Sequence, residues 1–235
     1  LPQALLFSGP RGVGKTSCAR ILAKVINSKK DNHENNDFSF NIFELDAASN
    51  NHVDDIKSLN EQVRIPPQNG NYKVFIIDEV HMLSSSAFNA FLKTLEEPPK
   101  HAIFILATTE KQKIIPTILS RCQIYDFKRI SIRDCKSQLI KIAVNQNVKY
   151  EDEALTLIAK KSDGALRDAL YLYDQMIAFT ENNLTVKNIS ESLNLLTFEK
   201  YFIISDLVIK NDIPKLLIEF DKIVSNGFDD LDFLV

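Results

Sequence analysis

"GPRGVGKT", residues 9–16, is a full match to the spacing G-x-x-x-x-G-K-[ST]. An apolar run, Ala4–Ser8, precedes it, and an amphipathic pattern, Lys15–Ile26, follows. Strand, glycine turn and helix in that order make an anion cradle. Glycine lets backbone N–H groups converge on oxygens, and the helix start adds its positive dipole end. Only six glycines occur in the 235 residues, so three within this one turn are concentrated there. Phosphate contacts are expected from Gly9, Pro10, Arg11, Gly12, Val13, Gly14, Lys15, Thr16 and Ser17. Lys15 reaches the β/γ-phosphates, and the Thr16 hydroxyl ligates Mg²⁺. The bland alternative is a chance glycine turn before a helix.

Outward from the cradle, short apolar runs alternate with helical patterns. Strands are expected at Ala4–Ser8, Asn41–Asp46, Lys73–Asp78, Ile103–Thr108 and Gln123–Phe127. Helices are expected at Lys15–Ile26, Val53–Arg64, Ser84–Glu97 and about Lys113–Leu119. That alternation predicts an α/β domain over 1–128, a five-stranded parallel sheet with helices on both faces. From Ser131 no strand-like run follows. Helical periodicity covers Ile132–Asn147, Asp152–Ser162, Leu166–Phe179 and Val186–Leu193. A small helical domain over 129–185 is expected, then the start of an all-helical unit over 186–235, with two helices broken near Asn211–Pro214 and a third after Gly227. The stretch Ser28–Asp37 reads as a polar loop, and the opening at Leu1 without a methionine reads as a fragment of a longer chain.

"YKVFIIDEVHML" sets Asp78 and Glu79 directly after four apolar residues. A parallel strand's C-terminal end opens onto the ligand crevice. There Asp78 would hold Mg²⁺ and Glu79 would polarise the attacking water. Alone, such a pair is as often a solvated helix cap. An Asn-Lys-x-Asp guanine reader is absent, which favours ATP over GTP.

Composition excludes several other classes. A net charge of −3 leaves any nucleic-acid contact to a local patch. The three cysteines, Cys18, Cys122 and Cys135, never form C-x-x-C, which points to a reducing compartment. The apolar runs are too short to span a bilayer, so no membrane association is expected. Cys18 and Cys122 read as buried small apolar residues, and His81 and His101 read as lacking acid or metal partners at useful spacing.

"GPRGVGKTS", "ELDAASNN-VDDI", "VFIIDEVHMLS--AFNAFLKTLEEPP", "FILATTE", "IPTILSRCQ" and "GALRDAL" together closely resemble the clamp-loader AAA+ ATPase family, the bacterial DNA polymerase III gamma/tau subunits. The resemblance covers nearly the whole chain and is weakest after about residue 180. It implies an AAA+ domain, a three-helix lid and a collar that holds subunits in a pentameric ring. It further implies a cytoplasmic motor acting at replication forks, which uses ATP and Mg²⁺ to load a sliding clamp onto primer-template DNA with other clamp-loader subunits. Thr108 and Thr109 match the first sensor of the γ-phosphate, Thr109 better, and Arg167 matches the second sensor. In "SRC", Arg121 matches the arginine finger, which acts in trans on a neighbour's ATP. The alternatives are a surface Arg121 capping a strand or paired with Asp126, and an Arg167 beside Asp168 or Asp174 on a solvated helix.

Departures from the family pattern carry their own expectations. The four-cysteine zinc module is missing and His33 alone cannot make a tetrahedral site, so no zinc is expected. Asn50-Asn51-His52 stand where the family has basic DNA contacts, so a weaker contribution is expected from Asn50 and His52. Lys93 and Thr117 remain phosphate-contact candidates, the alternative for Lys93 being a solvated helix face. The competing functional readings are a non-hydrolysing AAA+ scaffold subunit and a related AAA+ motor that moves branched DNA.

Overall fold

The computed structural model describes residues 2–27, 41–67, 70–180, 182–193 and 198–225. Two compact units emerge. One comprises Leu1–Ile130 with Ala165–Arg167, and the other Ser131–Gly164 with Asp168–Val235.

The first unit is built on five parallel strands: β1 (Ala4–Ser8), β2 (Ile42–Asp46), β3 (Lys73–Asp78), β4 (Ala102–Thr108) and β5 (Gln123–Asp126). Their order is β2-β3-β4-β1-β5. Because β4 lies between two strands and under helices on both faces, all seven of its residues are buried, as its unbroken apolar run requires. The two-residue strand period divides the core. Leu5, Phe7, Val74, Ile76, Ile103 and Ile105 pack on one face with Ala19 and Ala23 of α1 (Lys15–Asn27). Leu6, Phe75, Ile77, Phe104 and Leu106 pack on the other. They meet Ile56, Leu59 and Val63 of α2 (Val53–Arg64) and Phe88, Phe91 and Leu95 of α3 (Ser85–Glu96). Phe43, Phe75 and Phe104 stack in sequence with centroids 5.3 and 5.5 Å apart, and Phe91 meets Phe104 edge-on at 5.4 Å.

The buried residues of α1 are spaced four apart, Lys15, Ala19, Ala23 and Asn27, and the two small ones, Ala19 and Ala23, pack on the sheet. Cys18 falls off that face and is exposed, contrary to the expectation of burial. Ser84 caps α3, its Oγ accepting from the Ala87 N–H at 3.2 Å. The helix expected over about 113–119 is two pieces, a 3₁₀ turn at Lys111–Lys113 and α4 (Pro116–Leu119). Pro116 forces Ile115 into extended backbone (φ −64°, ψ 141°), which separates them.

The second unit contains α5 (Ile132–Gln146), α6 (Asp152–Lys161), α7 (Leu166–Thr180), whose first residues belong to the first unit, α8 (Val186–Ser192), α9 (Phe198–Ile209) and α10 (Ile213–Ser225). Cys135, Leu139, Leu155, Ile158, Tyr173 and Met176 are buried there. Asn147 ends α5 in the left-handed region at φ 56°. The absence of strands expected beyond Ser131 is corrected by β6 (Lys149–Tyr150) and β7 (Asn183–Leu184), which pair in parallel. Two residues are too few for any periodicity to register. Among the described residues, no helix is long and apolar enough to cross a membrane. The polar loop Ser28–Asp37 and the helix expected after Gly227 lie outside the described residues.

Candidate nucleotide site

The turn after β1 is fixed from below. The Gly9 N–H donates to Thr108 O at 3.2 Å, and a Cβ at Gly9 would stand 2.2 Å from Phe127 O, so only glycine fits. Gly14 has φ +95° and open space where a Cβ would go, which is the concavity an anion needs. Lys15 is 6% exposed, and its Nζ donates to Gly9 O and Pro10 O, both at 2.8 Å. Burial pushes its pKa down, partly opposed by the charges of Glu79 and Asp78. A nearly buried ammonium whose hydrogen-bond acceptors are the neutral carbonyls of Gly9 and Pro10 suits a phosphate.

Thr16 Oγ1 donates to Asp78 Oδ2 at 2.6 Å, linking the first turn of α1 to the end of β3. A hydroxyl and a carboxylate side by side are hard oxygen donors, the kind Mg²⁺ takes. Glu79 follows in a left-handed conformation (φ 46°, ψ 44°), uncommon for a residue with a side chain. Its Oε2 accepts from the Thr109 N–H at 3.2 Å and from Thr109 Oγ1 at 2.9 Å. Thr108 is fully buried, and its Oγ1 accepts from the Glu110 N–H at 3.0 Å. Asp78, Glu79, Thr108 and Thr109 therefore converge at the ends of two adjacent strands beside the cradle. Arg167 joins this unit through its backbone, the N–H donating to Gly12 O at 3.3 Å, and its side chain is exposed. Arg11 and Ser17 are exposed; Pro10 is half-buried and Val13 buried.

Two sequence readings need correction here. Arg121 does not pair with Asp126, whose carboxylate takes Lys111 Nζ at 3.0 Å. Its Nη2 instead donates to Glu96 Oε1 at 2.9 Å, and its Nη1 to Thr117 O at 2.7 Å. That carboxylate lies 25 residues upstream at the end of α3, beyond any local window. His81 does have acid partners. Its side chain is 6% exposed, with Nδ1 3.4 Å from Glu79 Oε2 and Nε2 3.3 Å from Glu110 Oε1. Among the described residues no acid pairs with His101, whose Nε2 meets Val63 O at 2.9 Å.

Of the nucleic-acid candidates, His52, Lys93 and Thr117 are exposed. Asn50 is half-buried and spends its Nδ2 on Asp46 O at 3.1 Å. Asp46 also ties Ala48 N and Ser49 Oγ, and Ala47 N donates to Asp78 O at 3.0 Å, so this loop borders the acidic strand end. Among the described residues there is no group of three or more His, Cys, Asp or Glu side chains placed to hold a metal. His33 lies outside the described residues.

With this geometry in view, residues 1–131 match the family described as "DNA polymerase III, delta subunit". Residues 134–182 match "DNA polymerase III clamp loader subunit, ATPase lid domain". The chain belongs to the DNA polymerase III clamp-loader subunit family. It is 49% identical over 198 residues to DNA polymerase III subunit tau of Bacillus subtilis, covering 79% of this chain and 35% of that protein. Against DNA polymerase III subunit gamma of Buchnera aphidicola subsp. Baizongia pistaciae the identity is 40%, covering 94% and 63%. Against subunit tau of Escherichia coli it is 39%, covering 97% and 37%. The chain thus spans between about a third and just under two-thirds of these clamp-loader relatives. Among solved structures, the Thermotoga maritima RuvB Holliday junction branch migration motor aligns with TM-score 0.63 and 22% identity, over 88% of this chain and 68% of that one. At that identity the match speaks to fold alone, and the fold is the AAA+ P-loop α/β architecture expected from sequence.

Proposed function

We propose that this chain is the ATP-binding and ATP-hydrolysing motor part of a bacterial clamp-loader subunit, which loads a sliding clamp onto primer-template DNA during replication in the cytoplasm. The observation that carries the reading is the 2.6 Å bond from Thr16 to Asp78, with Glu79 beside it. A glycine turn with Lys15, a hydroxyl–carboxylate pair and a second carboxylate close by support a reading as a phosphoryl-transfer site. Membership of a clamp-loader subunit family supports the clamp and the DNA as partners.

In this reading Gly9–Thr16 hold the triphosphate, with Lys15 on its terminal phosphates and Thr16 and Asp78 on Mg²⁺. The metal supplies charge neutralisation between the phosphates. Glu79 orients and polarises the attacking water. Thr109, backed by Thr108, senses the γ-phosphate, and Arg167 reaches the same nucleotide as the second sensor. Arg121 acts in trans on the nucleotide of the neighbouring subunit in a pentameric ring. Lys93, through its charge, and Thr117, through its hydroxyl, meet the DNA backbone, and Asn50 and His52 contribute less than the basic side chains that the family has at their place. The division into a nucleotide-binding domain (1–128), a lid (129–185) and the beginning of a collar (186–235) belongs to the same proposal.

The test is ring ATPase. Full-length protein carrying Lys15→Ala or Glu79→Gln is assembled with its partner subunits, and turnover stimulated by clamp and primed DNA is measured. Loss of turnover is expected from both. Unchanged turnover would make this chain a non-hydrolysing scaffold.

A further inference from the structure

The 3₁₀ turn Val80–Met82 leaves the acidic strand end immediately after the left-handed Glu79. It is closed by Met82 N–H donating to Glu79 O at 2.8 Å and Leu83 N–H donating to Val80 O at 3.2 Å. These bonds fix the backbone on either side of His81, whose side chain then fills the space between the tips of β3 and β4. Its Nδ1 lies 3.0 Å from Thr108 Oγ1 and 3.4 Å from Glu79 Oε2. Its Nε2 lies 3.3 Å from Glu110 Oε1, and the same oxygen accepts from Lys113 Nζ at 2.8 Å. One nearly buried ring thus joins Glu79, the residue before Thr109, and the residue after it.

A buried imidazole with polar groups at both nitrogens is locked in orientation. Among the described residues, the side-chain partners of Glu79 all lie on Oε2: both donors of Thr109, with His81 Nδ1 3.4 Å away. Fixing one oxygen aims the other. A carboxylate that must meet a water at hydrogen-bond distance loses efficiency steeply when its aim is off by about 1 Å, on the order of a hundredfold.

We propose that His81 is the positioning residue for Glu79, fixing its carboxylate against the tip of β4 so that the free oxygen faces the attacking water. The inference rests on the reading of Glu79 as the group that polarises that water. His81 touches neither nucleotide nor metal in this scheme. Its contribution runs through the Nδ1 side, toward Glu79 and Thr108, while the Nε2 contact with Glu110 sets the ring plane.

The two sides separate by substitution. In His81→Asn the amide reaches the region of Nδ1, and in His81→Gln the region of Nε2. Full-length protein with His81→Leu, His81→Asn, His81→Gln or Glu79→Gln is assembled with its partner subunits. ATP turnover with clamp and primed DNA is measured alongside affinity for a fluorescent ATP analogue. His81→Leu is expected to lower kcat roughly ten- to a hundredfold with nucleotide affinity nearly unchanged. His81→Asn should recover most of the loss and His81→Gln little of it. Wild-type kcat in His81→Leu overturns the proposal, as does a parallel loss of affinity and kcat that His81→Asn fails to relieve. Should His81→Leu fail to fold, the Asn and Gln variants decide alone, and equal kcat in both overturns it. Glu79→Gln separates the two readings. If it lowers turnover while His81→Leu does not, this inference alone is lost; if it leaves turnover intact, the role of Glu79 is lost as well.

Discussion

Thr109 donates twice to a single oxygen of Glu79, from its backbone N–H at 3.2 Å and from its hydroxyl at 2.9 Å. These residues directly follow neighbouring strands, β3 and β4, whose register pairs Ile77 with Leu106. The contact is therefore set by the sheet, not by a loop. The backbone of Glu79 reverses at φ 46°, a conformation that costs energy and persists because its surroundings hold it. A displacement of Thr109 would carry Glu79 with it, since Glu79 Oε2 accepts both of the Thr109 hydrogen bonds.

Thr109→Val keeps the shape and removes the hydroxyl donor while leaving the backbone N–H. A hydrogen bond to a charged group contributes about 1.5–3 kcal/mol. If that energy holds Glu79 in working geometry, ring ATPase kcat falls roughly ten- to a hundredfold. Nucleotide affinity should change little, because the cradle is untouched. Paired kcat and equilibrium-binding measurements check this, and an unchanged kcat would separate Thr109 from the chemistry.

Arg121 is held by Glu96 and by Thr117 O, with side-chain exposures of 35% and 50% for the ion pair. Exposed pairs of this kind contribute about 0–1 kcal/mol, so the contact orients the guanidinium without committing it. Arg121→Ala is expected to lower the ATPase of an assembled ring roughly 10³- to 10⁵-fold, or about 4–7 kcal/mol in barrier. Nucleotide binding and melting temperature should stay near wild type. Mixing the Arg121→Ala protein with wild type should inactivate sites next to the altered subunit and not its own. A loss of binding in the altered subunit itself would assign Arg121 a structural role.

The sequence carried the sheet because each strand is a short apolar run ended by a turn or helix start, and buried parallel strands leave that signature undiluted. It carried the cradle and the Asp78–Glu79 pair because those residues are contiguous. It did not carry His81, whose partners Thr108 and Glu110 follow 27 and 29 positions later and meet it only through strand pairing. An imidazole two residues after the acidic pair was the one available signal. The Glu96 partner of Arg121 was invisible for the same reason. Cys18 was misread because α1 packs through alanines, which let the helix come close to the sheet while Ile21 and Val25 face outward at 61% and 63% exposure. An apolar moment alone points such a helix the wrong way.

Cys122 stands next to Arg121 yet packs against the core of the first unit, beside Ile118 and Leu119. Burial pushes its thiol up to about 11. At pH 8 the thiolate, the reactive form, is then only about one part in a thousand. Iodoacetamide at pH 8 should modify exposed Cys18 and leave Cys122 almost untouched, as read by peptide mass mapping. Its rate should climb about tenfold per pH unit until near pH 11. The same shift has a stability consequence. With the folded value raised, the native state binds more proton than the unfolded chain between the ordinary thiol range and about 11. This contribution is full below that range and is lost as pH rises through it, so Cys122→Ala should flatten the fall in stability on the alkaline side. Equal modification of Cys18 and Cys122 at pH 8 would mean that the turn carrying Arg121 opens from the core in solution.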